Sequence, residues 1–188
     1  SHNNTKRGVR LLCVALALTV VTAVIMPMMH FEGAEIYFGI LHLLSLSMLI
    51  FSALRAGLDK INPIVGIIVC IAIYIFTYGV SAGYVGIAGL KTFDLPAVLY
   101  RTNYFMPLGF FNSSFHSADY FPLLPHLFMF LTGTFVGVYA TNGRFPAFTY
   151  RQRSKALCFL GRHALVIYIA HQPIIYGILW VVEKIIAK

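Results

Sequence analysis

Five long apolar runs dominate the chain. They cover residues 9–29, 36–54, 61–80, 122–140 and 164–182, and Arg10, near the start of the first run, is their one charged residue. A helix needs about 20 residues to cross the hydrocarbon core of a bilayer, and the runs lack the alternation of barrel strands. The pattern predicts an all-α integral membrane bundle of about five transmembrane helices.

Composition agrees with this pattern. Hydrophobic residues make up 59% of the 188 residues and charged residues 11%, with a mean hydropathy of +0.80. Such a composition excludes an ordinary water-soluble domain. We therefore expect one transmembrane domain over residues 1–188, with residues 81–121 as a long loop that is functional or partly folded.

The basic residues indicate an orientation. The formal net charge is +8, and ten of the fourteen basic residues fall in three connections that alternate to one side: Lys6, Arg7, Arg10, Arg55, Lys60, Arg144, Arg151, Arg153, Lys155 and Arg162. Such a distribution does not indicate nucleic acid, and the positive-inside tendency makes this side cytoplasmic. The first residue is then cytoplasmic, and the loop 81–121 lies on the outer side.

Two histidines lie within apolar runs, His42 in the second and His171 in the fifth. This topology places them in opposite leaflets. An ionisable side chain within a span favours a substrate or proton path. The alternative is a neutral histidine that hydrogen-bonds to a neighbouring helix.

The outer loop ends in a polar stretch that contains His116 and Asp119. Asp119 stands shortly before Pro122, which is typical of a helix N-terminus stabilised by a carboxylate. In the functional alternative, Asp119 orients His116 or His126 for proton transfer.

The connection 141–163 holds five cations and no acid, namely Arg144, Arg151, Arg153, Lys155 and Arg162. It fits an anion-binding rim for a phosphorylated cytoplasmic ligand, or charge that only sets topology. The three cysteines do not have a metal-binding spacing, so no metal site is predicted. Gly133 and Gly137 form a G-x-x-x-G that permits a homodimer.

Three segments carry a resemblance: IYFGILHLLSL, SADYFPLLPHLFMFLTGTFVG and LGRHALVIYIAHQPIIYGIL. Over residues 6–179 the chain resembles bacterial membrane proteins related to lysosomal heparan-alpha-glucosaminide N-acetyltransferase. The resemblance implies an acyltransferase of the bacterial cytoplasmic membrane. It would use cytoplasmic acetyl-CoA and acetylate an amino sugar or glycan on the far side.

The resemblance also implies residue roles. The CoA phosphates would contact Arg144, Arg151, Arg153 and Arg162, and a buried histidine would act as general base or transient acyl carrier. Together with His42 and His171, we name His116 and Asp119 as catalytic candidates.

Two departures from the family pattern bear on these roles. Family members begin with two further spans, and the histidine regarded as catalytic lies there. We therefore expect the chain to be incomplete or a truncated relative, with His42 and His171 lining the acetyl path. His126 stands where the family has tryptophan, so it inherits no role. A proton-coupled transporter and a non-catalytic membrane scaffold remain as alternative functions.

Overall fold

The computed structural model describes residues 2–28, 33, 35–87, 90–151 and 154–186. These fall into two compact units, residues 1–142 (unit 1) and 143–188 (unit 2), and 69% of the structure is helical.

Unit 1 contains four helical segments that are long and apolar enough to span a membrane: Asn3–Met28, Ile40–Leu58, Pro63–Ala82 and Leu123–Thr141. Their helices are α1 (His2–Val20), α2 (Ile40–Leu58), α3 (Pro63–Thr77) and α4 (Leu123–Thr141). A π-helical turn, Val21–Ile25, and one further turn, Met26–Met28, extend α1. The predicted membrane bundle is confirmed.

These helices pack in pairs, α1 against α2 and α3 against α4. Close approach in the second pair depends on Gly66, because a Cβ atom there would lie 2.6 Å from the Phe135 ring. Phe135 forms a buried cluster with Cys70 and Leu131. At Gly133 and Gly137, in contrast, an added Cβ would have no atom of another described part of the chain within 4 Å. Gly66 thus mediates helix packing in unit 1, as does Gly8 of α1, where a Cβ would lie 3.0 Å from the Leu49 side chain of α2. The proposed dimer role of G-x-x-x-G stays a prediction.

The long connection between α3 and α4 is folded. It contains an antiparallel hairpin of β1 (Tyr84–Ile87) and β2 (Leu90–Asp94), followed by short 3-10 turns at Ala97–Tyr100 and Met106–Leu108. The sequence analysis did not predict this hairpin.

Unit 2 contains α5 (Lys155–Arg162) and α6 (Ala164–Ile186). The Ser154 hydroxyl caps α5 by accepting a hydrogen bond from Leu157 N at 3.3 Å. The 23-residue α6 includes the fifth predicted span, residues 164–182.

Candidate functional site

His42 lies at the start of α2 rather than deep within it. The apolar run begins at residue 36, but the helix begins at Ile40, so His42 is in the first helical turn. The ring is 5% exposed. Its Nδ1 accepts a hydrogen bond from Gly39 N at 3.3 Å, and its Nε2 lies 3.3 Å from Thr19 Oγ1. An accepting Nδ1 assigns the ring proton to Nε2, which then donates to Thr19.

This arrangement is one half of a capping box, with histidine in the place usually held by Glu or Gln: the His42 side chain accepts from the N-cap amide, but Gly39 has no side chain to accept from the His42 amide. It satisfies the amide of Gly39 and ties α2 to α1 through Thr19. Both imidazole nitrogens are therefore engaged in contacts that hold the helix end. Residues 36–39 continue the apolar run without joining the helix, so α2 begins only two residues before His42.

Asp119 also acts on the start of α2. Its Oδ2 accepts a hydrogen bond from Ile40 N at 3.1 Å. A carboxylate at this position is stabilised by the positive end of the helix dipole. The expectation that Asp119 caps the fourth span is wrong, because Pro122 precedes α4 and provides no side-chain cap. The sequence placed the carboxylate near a helix N-terminus but assigned the wrong helix.

Gly39 makes this contact possible. A Cβ atom on Gly39 would lie 2.7 Å from Asp119 Oδ2 and 2.8 Å from the Asp119 carbonyl oxygen. Asp119 and His42 accept hydrogen bonds from the neighbouring amides of Ile40 and Gly39, respectively. Two of the four predicted catalytic residues, His42 and Asp119, are thus brought together.

Hydrogen bonds join residues 117–119 to residues 35–40, and we call these two segments together the clamp. Ala118 N donates to Glu35 O at 2.9 Å, and Tyr37 N donates to Ser117 Oγ at 3.2 Å. The clamp shows that the connection before α2 and the end of the loop 81–121 lie on the same side of unit 1. We call this side the loop side.

The π-helical turn at the end of α1 also holds the clamp. Thr22, in this turn, is buried; its hydroxyl donates to Leu18 O at 2.9 Å and accepts from Ile36 N at 3.1 Å. Such wide turns occur frequently at functional sites. Here the turn lets one threonine join α1 to the segment that precedes α2.

Beside the clamp lies an open cleft with a volume of about 690 Å³. Its described lining consists of aromatic and uncharged polar side chains with one carboxylate and one imidazole: Glu35, Tyr37, Asn103, Tyr104, Met106, Ser114, Phe115 and His116. Of the predicted site residues in unit 1, His116 is the one that lines this cleft. Neither Lys nor Arg occurs among these described residues, so the cleft is suited to a neutral or cationic ligand.

Aromatic contacts fix the wall of this cleft. The Phe115 ring lies 6.3 Å from Tyr37 and 5.1 Å from Tyr120. Tyr120 donates through its hydroxyl to Met106 O at 2.6 Å, and burial raises the pKa of this phenol above its usual value. Burial likewise raises the pKa of Tyr100, whose hydroxyl donates to Val80 O. Both phenols therefore remain neutral donors that hold the loop.

His126 lies in the first turn of α4. Its Nδ1 donates to Pro122 O at 2.9 Å, and its ring contacts Phe121 and Tyr74. These contacts hold the His126 ring by local packing and one hydrogen bond to the backbone.

Unit 2 has a second cavity, of about 600 Å³. It is formed by the turn before α5 and one face of α5, with Thr149, Tyr150, Arg151, Ser154, Leu157, Cys158, Gly161 and Arg162 as described lining residues. Two of the predicted phosphate-binding residues, Arg151 and Arg162, therefore share one cavity. Arg144 is not among its described lining residues, and Arg153 lies outside the part of the chain that the structure describes.

His171 lies in α6 of unit 2. Its Nδ1 donates to Tyr168 O in the preceding turn, and the two rings lie 5.2 Å apart. The side chain is exposed within this structure.

Several residues at these sites were not singled out from the sequence. Thr19, Gly39, Glu35 and Tyr104 carry no motif by themselves. A partial signal was present for Gly39 and His42, which have the spacing of a capping box without its N-cap side chain. Among the described residues, no group of three or more His, Cys, Asp or Glu side chains could hold a metal ion.

Comparison with known proteins identifies the family. Residues 1–173 match the family model described as heparan-alpha-glucosaminide N-acetyltransferase, catalytic. No curated protein and no solved structure shows significant similarity to the chain. The match covers most of the chain and includes residues of both units. The chain is therefore an integral membrane protein that belongs to the heparan-alpha-glucosaminide N-acetyltransferase catalytic family, a family of acyltransferase-type enzymes.

Proposed function

We propose that the protein is a transmembrane acetyltransferase that moves an acetyl group from cytoplasmic acetyl-CoA to an amino sugar or glycan on the far side of the membrane. The observation that carries the proposal is the family match over residues 1–173. Because this match crosses the boundary at residue 143, we propose that both units belong to one catalytic domain.

For the donor, the proposal rests on the cationic cavity of unit 2. CoA carries several phosphate charges, and guanidinium groups bind phosphate oxygens through paired, charge-assisted hydrogen bonds. Arg151 and Arg162 line one cavity that has Ser154 and Tyr150 as further hydrogen-bonding groups. We assign this cavity to the CoA phosphates, with Arg144 and Arg153 as additional contacts. The basic connections then face the cytoplasm, as does the first residue.

For the acceptor, the proposal rests on the cleft of unit 1. A sugar ring presents an apolar face that stacks on aromatic rings and hydroxyls that need polar partners, and an ammonium group favours a carboxylate and aromatic faces. Tyr104, which is 87% exposed, is available as a stacking surface. Glu35 supplies the carboxylate, and Asn103 and Ser114 supply hydrogen-bonding groups.

His116 is the side chain of this cleft suited to proton transfer. An ammonium group must lose a proton before its nitrogen can attack a carbonyl carbon, and an exposed imidazole can accept this proton. The nitrogen forms the new bond to the acetyl carbon, the carbon–sulfur bond of acetyl-CoA breaks, and the released thiolate takes up the second proton that the nitrogen loses. We propose His116 as the general base toward the acceptor.

His42 and Asp119 have a positioning role in this proposal. Both hold the start of α2, and the clamp that they support carries Glu35 and Tyr37 into the cleft wall. Their removal should therefore disturb acceptor affinity through the shape of the cleft. His171, in unit 2, is proposed to serve the acetyl path on the donor side.

The experiment is an acetyl-transfer assay with the purified full-length protein in lipid nanodiscs, using acetyl-CoA and glucosamine. We expect Glu35→Gln to raise KM for the amine acceptor with little change in KM for acetyl-CoA. The matched control is Asp94→Asn, an exposed loop-side carboxylate outside the cleft, paired with Lys91. Equal acceptor KM values for wild type and Glu35→Gln would exclude this acceptor site. Proton-driven uptake of the sugar without acetylation would instead identify a transporter.

A further inference from the structure

The hairpin of β1 and β2 has one apolar face. Val85 pairs with Phe93 and Ile87 pairs with Leu90. Directly paired residues point to the same side of a hairpin, as do alternate residues of one strand. The register irregularity between Val85 and Gly86 inserts one extra residue in β2, Thr92, which brings Phe93 back to the side of Leu90. All four apolar side chains therefore share one face.

The opposite face is polar. Tyr84 pairs with Asp94, and Gly86 pairs with Lys91. Lys91 Nζ lies 2.6 Å from Asp94 Oδ1, and both side chains are exposed. The hairpin is thus amphipathic, with an ion pair on one side and branched or aromatic side chains on the other.

The apolar face is not covered by the part of the protein that the structure describes. Ile87 is 62% exposed, Leu90 74% and Phe93 64%. Adjacent exposed apolar side chains of this size mark a contact surface, since water contact is unfavourable for each of them.

The hairpin is fastened to the end of a membrane-spanning segment. The segment Pro63–Ala82 ends one residue before the turn at Gly83, where φ is 88°. Tyr84 N donates to Gly79 O at 3.2 Å, and Leu95 N donates to Gly83 O at 2.9 Å. The first residue of β1 and the residue after β2 are therefore both held next to the end of this membrane-spanning segment.

We propose that this apolar face contacts the bilayer that surrounds the spans, on the leaflet of the loop side. Ile87, Leu90 and Phe93 would reach the boundary between headgroups and acyl chains, and Lys91 and Asp94 would face water. A two-stranded sheet has unpaired backbone groups at its edges, which hydrocarbon cannot satisfy. The hairpin therefore lies flat in the interface with its backbone hydrated.

Tryptophan fluorescence tests this contact. The chain has one tryptophan, Trp180, so W180F provides a background into which F93W is introduced. In nanodiscs of phosphatidylcholine, F93W is expected to emit at shorter wavelength than tryptophan in water. Acyl chains brominated near the headgroup should quench it.

The matched control is K91W in the same background, because Lys91 lies on the opposite face of the same strand. Its emission should resemble that of tryptophan in water, and aqueous iodide should quench it rather than brominated lipid. L90W provides a second reporter on the apolar face if F93W does not fold.

Water-like emission from both F93W and L90W, with no quenching by brominated lipid, would overturn the proposal. Short-wavelength emission that brominated lipid does not quench would also overturn it, since it would show burial against protein. If this unquenched emission shifts to longer wavelength in discs that each hold a single copy of the chain, the face contacts a second copy.

Discussion

The contact between Gly39 and Asp119 predicts that Gly39→Ala destabilises unit 1. The added Cβ would meet Asp119 Oδ2 at 2.7 Å and the Asp119 carbonyl oxygen at 2.8 Å. Because the second of these is a backbone atom, rotation of the Asp119 side chain does not relieve the contact. The residues 117–119 must shift away from the start of α2.

The magnitude follows from the contacts that such a shift breaks. The hydrogen bond from Ile40 N to the Asp119 carboxylate is charge-assisted, and loss of such a bond costs about 1.5–3 kcal/mol. Alanine at an N-cap is also less favourable than glycine by up to about 1 kcal/mol. Gly39 has a φ of −116°, which alanine adopts readily, so backbone strain adds nothing. We expect the free energy of unfolding to fall by about 2–3 kcal/mol.

The assay is reversible unfolding of the purified protein in mixed micelles with increasing denaturing detergent. Gly133→Ala is the matched control, because among the described residues no atom outside its own helix turn lies within 4 Å of the added Cβ. Alanine there should be neutral or stabilise the helix by up to about 1 kcal/mol. If Gly39→Ala and Gly133→Ala unfold at the same detergent fraction as wild type, the described contact between residues 39 and 119 is refuted.

The remaining predictions concern His42, the donor cavity and Tyr120. His42→Ala and Thr19→Val should each lower the free energy of unfolding by about 1 kcal/mol, and the double variant should show clear non-additivity because the two residues share one hydrogen bond. Arg151→Ala should raise KM for acetyl-CoA about tenfold, because one charge-assisted phosphate contact is lost. Lys155→Ala, which lies outside the described cavity lining, should leave this KM unchanged. Equal effects of the two variants would indicate general charge loss. Burial raises the pKa of Tyr120 in the folded protein above its unfolded value, so its contribution to stability is complete below about pH 10 and is lost as pH rises further. In Tyr120→Phe, the free energy of unfolding should therefore fall less steeply with pH in the alkaline range than in wild type. An unchanged pH dependence would contradict this.

The spans were predictable because lipid imposes a simple rule on sequence. An apolar run without charge has few alternatives to a membrane helix, and four such segments of unit 1 agree with the first four runs. The helix start at Ile40 was less predictable, because apolar residues 36–39 serve equally well as extended chain. Hydropathy does not include the hydrogen bonds that determine where a helix begins.

The clamp could not be predicted from the sequence. The amides of Tyr37 and Ile40 bind Ser117 and Asp119, which are far away along the chain. Only the fold brings these segments together. The hairpin was missed for a different reason, because an extra residue at Thr92 interrupts the alternation of polar and apolar positions.

The cationic cavity that we propose for the donor was predictable in part. A run of cations without acids fitted either phosphate binding or charge that only sets topology, and Arg151 and Arg162 lie on one cavity. Which cations share a cavity depends on the short turn Ala147–Thr149 and on where α5 begins. Charge composition alone does not specify either feature.

The most direct test of the central claim is transfer of radiolabelled acetyl from acetyl-CoA to glucosamine by the full-length protein in sealed proteoliposomes. The donor is supplied on one side and the acceptor on the other. We predict labelled N-acetylglucosamine on the acceptor side, with the rate strongly reduced in His116→Ala and in Arg162→Ala. Absence of acetylated product with every amino sugar supplied, from protein that is folded and inserted, would contradict the assignment of acetyltransferase activity.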